Sequence, residues 1–129
     1  MIVLDASAVI EVLMQSGMGE VLRQRLQVIR LVHAPYLVDI EVTSALRRQC
    51  ALGALTQRRA RQALDDFERM RILRHRHKPY LTRIWALREN FTAYDACYIA
   101  LAEALDATLI TRDQAFASAH LSRGKIEVI

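Results

Sequence analysis

Asn90-Phe-Thr-Ala-Tyr-Asp95 and Thr108-Leu-Ile-Thr-Arg-Asp113 are the two segments that decide this fold, and an apolar helical pattern separates them. Thr92 is a typical helix N-cap, and apolar residues recur after it at about 3.6-residue spacing, so Asp95 is predicted in the first turn of a helix. Residues 108–111 are apolar or β-branched, which is typical of a buried strand. Asp113 then follows a strand's carboxyl end, where ligands collect in open parallel α/β sheets.

Two more acids are predicted near the same edge. Ile2 to Leu4 is a short apolar strand pattern, so Asp5 lies at its carboxyl end and Ser7 is the expected N-cap of the next helix. Glu41 lies on a helix predicted from Pro35 to Gly53, and helix geometry turns it toward the buried side, about 60° from Val38. Because an unpaired buried carboxylate costs several kcal/mol, we expect Glu41 to meet a cation.

The rest of the chain alternates strand and helix patterns. We expect the other strands at residues 31–34, 71–75 and 126–129 and the other helices at 18–30, after Thr56, after Pro79 and around 115–119. This βαβ alternation predicts a parallel sheet with helices on both faces. The length of 129 residues is that of one domain, residues 1–129.

Composition favours a cytoplasmic protein. Hydrophobic residues make up 53% of the chain and charged residues 25%, and no apolar run approaches the roughly 18 residues of a membrane span. The sequence opens without a secretory leader, so we expect no contact with a membrane. Cys50 and Cys97 lack metal-site or redox-motif spacing and are expected to be buried free thiols.

Arginine dominates the basic residues. Sixteen of the eighteen are arginine, eleven of them between Arg47 and Arg88, and the formal net charge is +4. Arginine binds phosphate bidentately, so this band indicates a nucleic-acid partner. A solvated helix face is the alternative, because Asp65, Asp66 and Glu68 lie at helix-pair spacings from nearby arginines.

Asp5, Glu41, Asp95 and Asp113 are thus expected to converge. Four carboxylates within about 5 Å of one another repel strongly, so such a cluster needs divalent cations. Ligation by oxygen alone favours Mg²⁺ or Mn²⁺, and no histidine falls at ligand spacing for zinc. On an arginine-rich protein, this site predicts hydrolysis of a phosphodiester by metal-activated water.

The sequence resembles the PIN-domain ribonucleases, and among them the VapC-type toxins of bacterial toxin–antitoxin pairs. The resemblance covers almost the whole chain. Its motifs are Val3-Leu-Asp5-Ala-Ser7-Ala, Glu41-Val with Ala45-Leu-Arg47, Asn90-Phe-Thr92-Ala-Tyr94-Asp95-Ala with Ala102-Glu103, and Leu109-Ile-Thr111-Arg-Asp113.

The resemblance implies a three-layer α/β/α fold with a five-stranded parallel sheet. It also implies an Mg²⁺- or Mn²⁺-dependent endoribonuclease that acts on RNA and is blocked by a cognate antitoxin protein. The implied metal-binding catalytic residues are Asp5, Glu41, Asp95 and Asp113, with support from Ser7, Thr111 and Asn90. A homodimer is expected as well, because 53% apolar content exceeds what one small core needs.

Other function classes fit less well. A phosphate-accepting receiver has an acidic pair after its first strand, and a phosphatase of the haloacid-dehalogenase type has a second aspartate where this chain has Ser7. A catalytically silent PIN-fold module that binds RNA or a partner would keep the arginines, but the presence of all four acids argues against it. Among the other acids, Asp39 is expected in solvent, Asp106 in a turn and Glu103 beside an arginine.

Overall fold

The computed structural model describes residues 1–29 and 31–129 of the chain. Within these residues the strands are β1 (Ile2–Leu4), β2 (Val32–Pro35), β3 (Ile72–His75), β4 (Thr108–Thr111) and β5 (Lys125–Val128). The α-helices are α1 (Ala6–Met14), α2 (Gly17–Val28), α3 (Leu37–Ala51), α4 (Gln57–Arg69), α5 (Leu81–Ala86) and α6 (Ala93–Leu105). Two 3₁₀ turns are formed by Lys78–Tyr80 and Gln114–Ser118.

The five strands form one parallel sheet in the order β3-β2-β1-β4-β5, which confirms the predicted α/β/α architecture. Helix α1 packs against α2, α3 and α4, whereas α6 packs on β1, β2 and β4. From β1 the chain adds β2 and β3 on one side, and it then crosses from β3 to β4 on the other side of β1. The strand order therefore reverses at β1, and such a switch point opens a crevice at the strands' carboxyl ends.

The centre of the sheet is fully buried, and its register places the two predicted strand-end acids side by side. Leu4 of β1 pairs with Ile110 of β4, and both have no exposed surface. The backbone N–H of Asp5 donates to the carbonyl of Ile110 at 3.2 Å. The residues that follow β1 and β4 consequently leave the sheet next to each other.

Several helix ends differ from the prediction. Asp5, and not Ser7, is the N-cap of α1, because its carboxylate accepts from the Ala8 amide at 2.9 Å. Pro35 ends β2, and α3 begins at Leu37. The predicted helix end at Arg30 lies outside the described residues.

Two glycines mark close approaches of the backbone. Gly19 lies inside α2, and a Cβ there would meet the Glu11 carbonyl at 2.0 Å. Gly124 has φ +79 before β5, and a Cβ there would meet the Ala107 carbonyl at 2.3 Å. Both positions need glycine because the neighbouring backbone occupies the side-chain space.

The two cysteines differ in burial. Cys97 is buried as expected, whereas Cys50 is only half-buried, because it lies near the exposed end of α3. No helix in the described ranges is long and apolar enough to cross a membrane.

Candidate active site

A cleft of about 600 Å³ opens at the carboxyl ends of β1 and β4 and brings the four predicted acids together. Its walls come from α1, α3, α6 and the loop after β4. The residues that line it include Asp5, Ser7, Glu11, Glu41, Arg48, Asp95, Tyr98, Arg112 and Asp113. Asn90 is not among them, and its backbone N–H donates to the Leu87 carbonyl at 3.1 Å.

Asp5 is the most deeply placed of the four acids, with 6% of its surface exposed. One carboxylate oxygen accepts from the Ser7 hydroxyl at 2.7 Å and from the Ala8 amide at 2.9 Å. The other oxygen accepts from the Thr111 hydroxyl at 2.6 Å. Both oxygens are thereby fixed in direction by neutral donors.

Ser7 and Thr111 also hold the loop that carries Asp113. The backbone N–H of Arg112 donates to the Ser7 hydroxyl at 2.8 Å, and that of Asp113 donates to the Thr111 hydroxyl at 2.9 Å. Asp113 in turn caps the following 3₁₀ turn by accepting from the Ala115 amide at 2.8 Å, and it is exposed. Two hydroxyls thus join the end of β1 to the end of β4.

Asp95 and Glu41 reach the cleft from helices. Thr92 caps α6 as predicted, accepting from the Asp95 amide at 3.2 Å, and this puts Asp95 in the first turn. The hydroxyl of Tyr98, a residue only 2% exposed, donates to Glu41 at 2.5 Å. We did not predict Tyr98, although its place three residues after Asp95 puts it on the same helix face.

The pKa values show acids that are costly to ionise. Burial raises the pKa of Asp5, and the charge of Asp113 raises it further. Burial also raises the pKa of Glu41, against the hydrogen bond from Tyr98, and the charges of Asp5 and Asp95 add to the rise. The pKa of Asp95 is raised by burial and then by Asp113. The charges of the acids therefore repel one another across a partly desolvated cleft.

None of the four acids forms an ion pair with a described residue. Their donor atoms are all carboxylate oxygens, the ligand type that Mg²⁺ and Mn²⁺ prefer. As the side chains stand, no three His, Cys, Asp or Glu residues in the described chain already meet at one metal-binding point. The donor chemistry therefore fits a divalent ion.

Three other acids, whose surroundings the sequence predicts, have protein partners. Glu103 accepts from Arg83 at 2.7 and 2.9 Å, as expected. Asp106 lies in a turn with φ 49, also as expected. Asp39 keeps 38% of its side-chain surface in solvent, as expected, and it also accepts from Arg74 at 2.8 and 2.9 Å. That contact joins α3 to β3, which sequence spacing does not reveal.

The arginines between Arg47 and Arg88 have different surroundings. Five of the eleven form ion pairs with described acids, namely Arg61, Arg69, Arg74, Arg83 and Arg88. For these five the solvated-face alternative describes the surroundings well. Arg48, in contrast, lines the cleft itself.

The comparisons with known proteins agree with this architecture. A family model described as PIN domain matches residues 2–120. The crystal structure of PAE2754 from Pyrobaculum aerophilum has the same fold, with a TM-score of 0.65 over 97% of this chain and 87% of that chain at 20% identity.

Curated relatives are similar over nearly the whole sequence. Ribonuclease VapC9 of Mycobacterium tuberculosis is 42% identical over 113 residues, which is 88% of this chain and 86% of the relative. Ribonuclease VapC12 of the same organism is 34% identical over 129 residues, which is 100% of this chain and 99% of the relative.

Proposed function

The chain belongs to the PIN-domain family, and from that premise we propose that it is a divalent-metal-dependent endoribonuclease, the toxin of a toxin–antitoxin pair. The observation that carries the proposal is the cleft that Asp5, Glu41, Asp95 and Asp113 line together, although none of the four forms an ion pair with a described residue. The names of the curated relatives support ribonuclease activity. Residues 1–129 act in this proposal as one catalytic domain.

The four carboxylates would hold Mg²⁺ or Mn²⁺, and the chemistry that such an ion supplies when bound is Lewis-acid polarisation and activation of water for phosphodiester hydrolysis. Ser7 and Thr111 orient Asp5 through both of its oxygens. The Tyr98 hydroxyl orients Glu41 through one oxygen, Oε2. Hydrolysis adds water across the P–O3′ bond, so the products are a 3′-hydroxyl and a 5′-phosphate.

Exposed apolar side chains support the proposed protein partners, a cognate antitoxin and a second copy of the chain. Near α5 and α6 they surround a hollow of about 380 Å³ and include Tyr36, Ile40, Leu81 and Tyr94, each more than half exposed. Val21 and Val28 of α2 are 61% and 84% exposed. Ala63 and Phe67 of α4, in contrast, are buried in the core and offer no surface to a partner.

Cleavage of a single-stranded RNA in Mg²⁺ or Mn²⁺ tests the proposal. EDTA should abolish cleavage, and Asp95→Asn should reduce the rate at least about a hundredfold, since even changes beside metal ligands cost 10- to 100-fold. Asp106→Asn is the matched control, because it makes the same chemical change in a turn outside the cleft, where asparagine tolerates φ 49. Cleavage that persists in EDTA, or an Asp95→Asn protein as active as Asp106→Asn, would remove the metal mechanism.

A further inference from the structure

A fifth carboxylate in the cleft does not belong to the group of four. Glu11 of α1 is 8% exposed. One of its oxygens accepts from the Ser16 hydroxyl at 2.5 Å, and the other accepts from Nη1 of Arg112 at 2.5 Å. Arg112 lies between Thr111 and Asp113, so Glu11 acts on the segment that carries the site.

The charges of this pair are unequally buried. The Glu11 side chain is 10% exposed and the Arg112 side chain 52%. Burial raises the pKa of Glu11, but the hydrogen bonds from Ser16 and Arg112 and the charge of Arg112 outweigh it and hold the pKa below its ordinary value. The acid is therefore an ionised anchor, while the guanidinium reaches toward the open cleft.

Arg112 keeps most of its hydrogen-bonding capacity. Within the described chain its guanidinium donates to Glu11 alone, through Nη1, although arginine has five N–H donors. Its own backbone N–H is held by Ser7. The main chain and one edge of the guanidinium are fixed, and the other N–H groups are free for a ligand.

We propose that Arg112 binds the non-bridging oxygens of the RNA phosphodiester next to the four carboxylates, and that Glu11 is its positioning residue. The inference rests on the proposed function. Four acids repel a phosphate, so an arginine on the same wall offsets that repulsion, and its planar fork matches phosphate geometry. An arginine held in place beforehand loses less conformational entropy on binding than one that is free.

Arg48 also lines the cleft, but no described acid lies within ion-pair distance of it. Its guanidinium adds positive charge to the cleft, but no ion pair fixes its orientation. The pair of Glu11 and Arg112 is thus the better candidate for aligning one particular phosphate.

The test measures RNA affinity and turnover in the full-length protein. Arg112→Gln should raise KM for a short single-stranded RNA about tenfold with kcat changed less than twofold, the pattern of a lost binding contact. Binding measured in an Asp95→Asn background should show a salt slope of log Kd smaller by about 0.7, as expected for one lost phosphate contact on a single strand. Glu11→Gln keeps the arginine charge, so it should weaken binding with the salt slope unchanged.

Two further variants separate the loss of the phosphate contact from the loss of the ion pair. Arg112→Gln alone leaves Glu11 without its cation, so the double variant with Glu11→Gln and Arg112→Gln removes both charges, and it should bind RNA no worse than Arg112→Gln. Arg83→Gln is the matched control, since Arg83 and Glu103 are 42% and 7% exposed and lie outside the cleft. It should leave KM and the salt slope unchanged.

The outcomes separate the two proposals. If the wild type cleaves RNA while Arg112→Gln and the double variant keep its KM and salt slope, the pair is a structural ion pair and this inference is wrong. If the wild type neither binds nor cleaves RNA in metal, the proposed function itself fails.

Discussion

Asp5 and Glu103 are buried to the same depth, 6% and 7% exposed, but their surroundings are opposite. Glu103 receives two hydrogen bonds from the Arg83 guanidinium, at 2.7 and 2.9 Å. Asp5 receives three hydrogen bonds, all from neutral hydroxyl or amide groups. Burial raises the pKa of both acids, yet hydrogen bonds and the charge of Arg83 bring that of Glu103 below its ordinary value, whereas that of Asp5 stays raised.

The difference concerns the source of the neutralising charge. Neutral donors orient a carboxylate, but they do not cancel its repulsion from another acid such as Asp113. A guanidinium does both, and it belongs permanently to the fold. Glu103 is therefore arranged for stability, and the surroundings of Asp5 support a role for which the cation arrives from solution.

The largest expected effect is on the paired acid. Arg83→Met should lower the free energy of unfolding by about 3 kcal/mol, because it leaves Glu103 buried without a cation. The loss should be the same in EDTA and in Mg²⁺. Urea unfolding in both buffers measures it.

Arg25→Met is the control for Arg83→Met. Arg25 and Glu127 form an exposed ion pair at 2.6 Å, and such surface pairs contribute at most about 1 kcal/mol. Equal losses in the two variants would show that Glu103 does not depend on its arginine, and the contrast with Asp5 would disappear.

The cleft acids should respond to metal instead. A divalent ion that binds only the native state adds about 2.7 kcal/mol at a hundredfold excess over its Kd, enough to raise the melting temperature of the wild type by several degrees. Asp5→Asn should melt at or above the wild type in EDTA, because one repelling charge is removed, and it should gain less from Mg²⁺ or Mn²⁺. Thermal melts of both proteins in both buffers measure this.

A different result for Asp5→Asn would show that Asp5 has only a structural role. If the wild type shows no rise with metal and Asp5→Asn is less stable in both buffers, Asp5 is only the N-cap of α1. It would then resemble Glu103 in role despite its neutral surroundings.

Local patterns in the sequence account for the parts of the site that depend on strand and helix ends. The short apolar runs before Asp5 and Asp113 predict buried parallel strands, and parallel strands bring their carboxyl ends to one edge. The pairing of Leu4 with Ile110 confirms that the ends of β1 and β4 lie side by side. Thr92 likewise places Asp95, because N-capping is a local interaction.

Contacts between distant segments had no such signal. Glu11 and Arg112 are 101 residues apart, and their pairing depends on how α1 lies over β4. Asp5 and Ser7 are both good capping residues, so the sequence does not decide which of them is the N-cap of α1, and the end of β1 settles it in favour of Asp5. The sequence gives no signal that Tyr98 binds Glu41, because a tyrosine on an apolar helix face more often packs in the core than binds a carboxylate.

The smallest expected effect is on pH dependence, and it distinguishes the two kinds of acid by sign. For Asp5 the native pKa is raised, so in EDTA the native state takes up a proton at a higher pH than the unfolded chain does. The stability penalty of its charge therefore declines as the pH falls through the raised pKa and is gone below the ordinary value. For Glu103 the native pKa is lowered, so its contribution is present above about pH 4.5 and is lost as the pH falls through the native pKa.

In EDTA the advantage of Asp5→Asn over the wild type should therefore shrink as the pH is lowered from 7 to 4, by no more than about 1.4 kcal/mol per pH unit for one proton. The comparison is made between these two proteins because His33, whose pKa is lowered by burial and then by His75, works in the opposite direction in both of them. Saturating Mg²⁺ should reverse the trend for the wild type, since protons compete with the ion for the carboxylates. Urea unfolding at four pH values gives the slopes. A difference between wild type and Asp5→Asn that stays constant from pH 7 to 4 in EDTA would mean that Asp5 ionises like a solvent-exposed aspartate, and its surroundings would then give no reason to expect a cation.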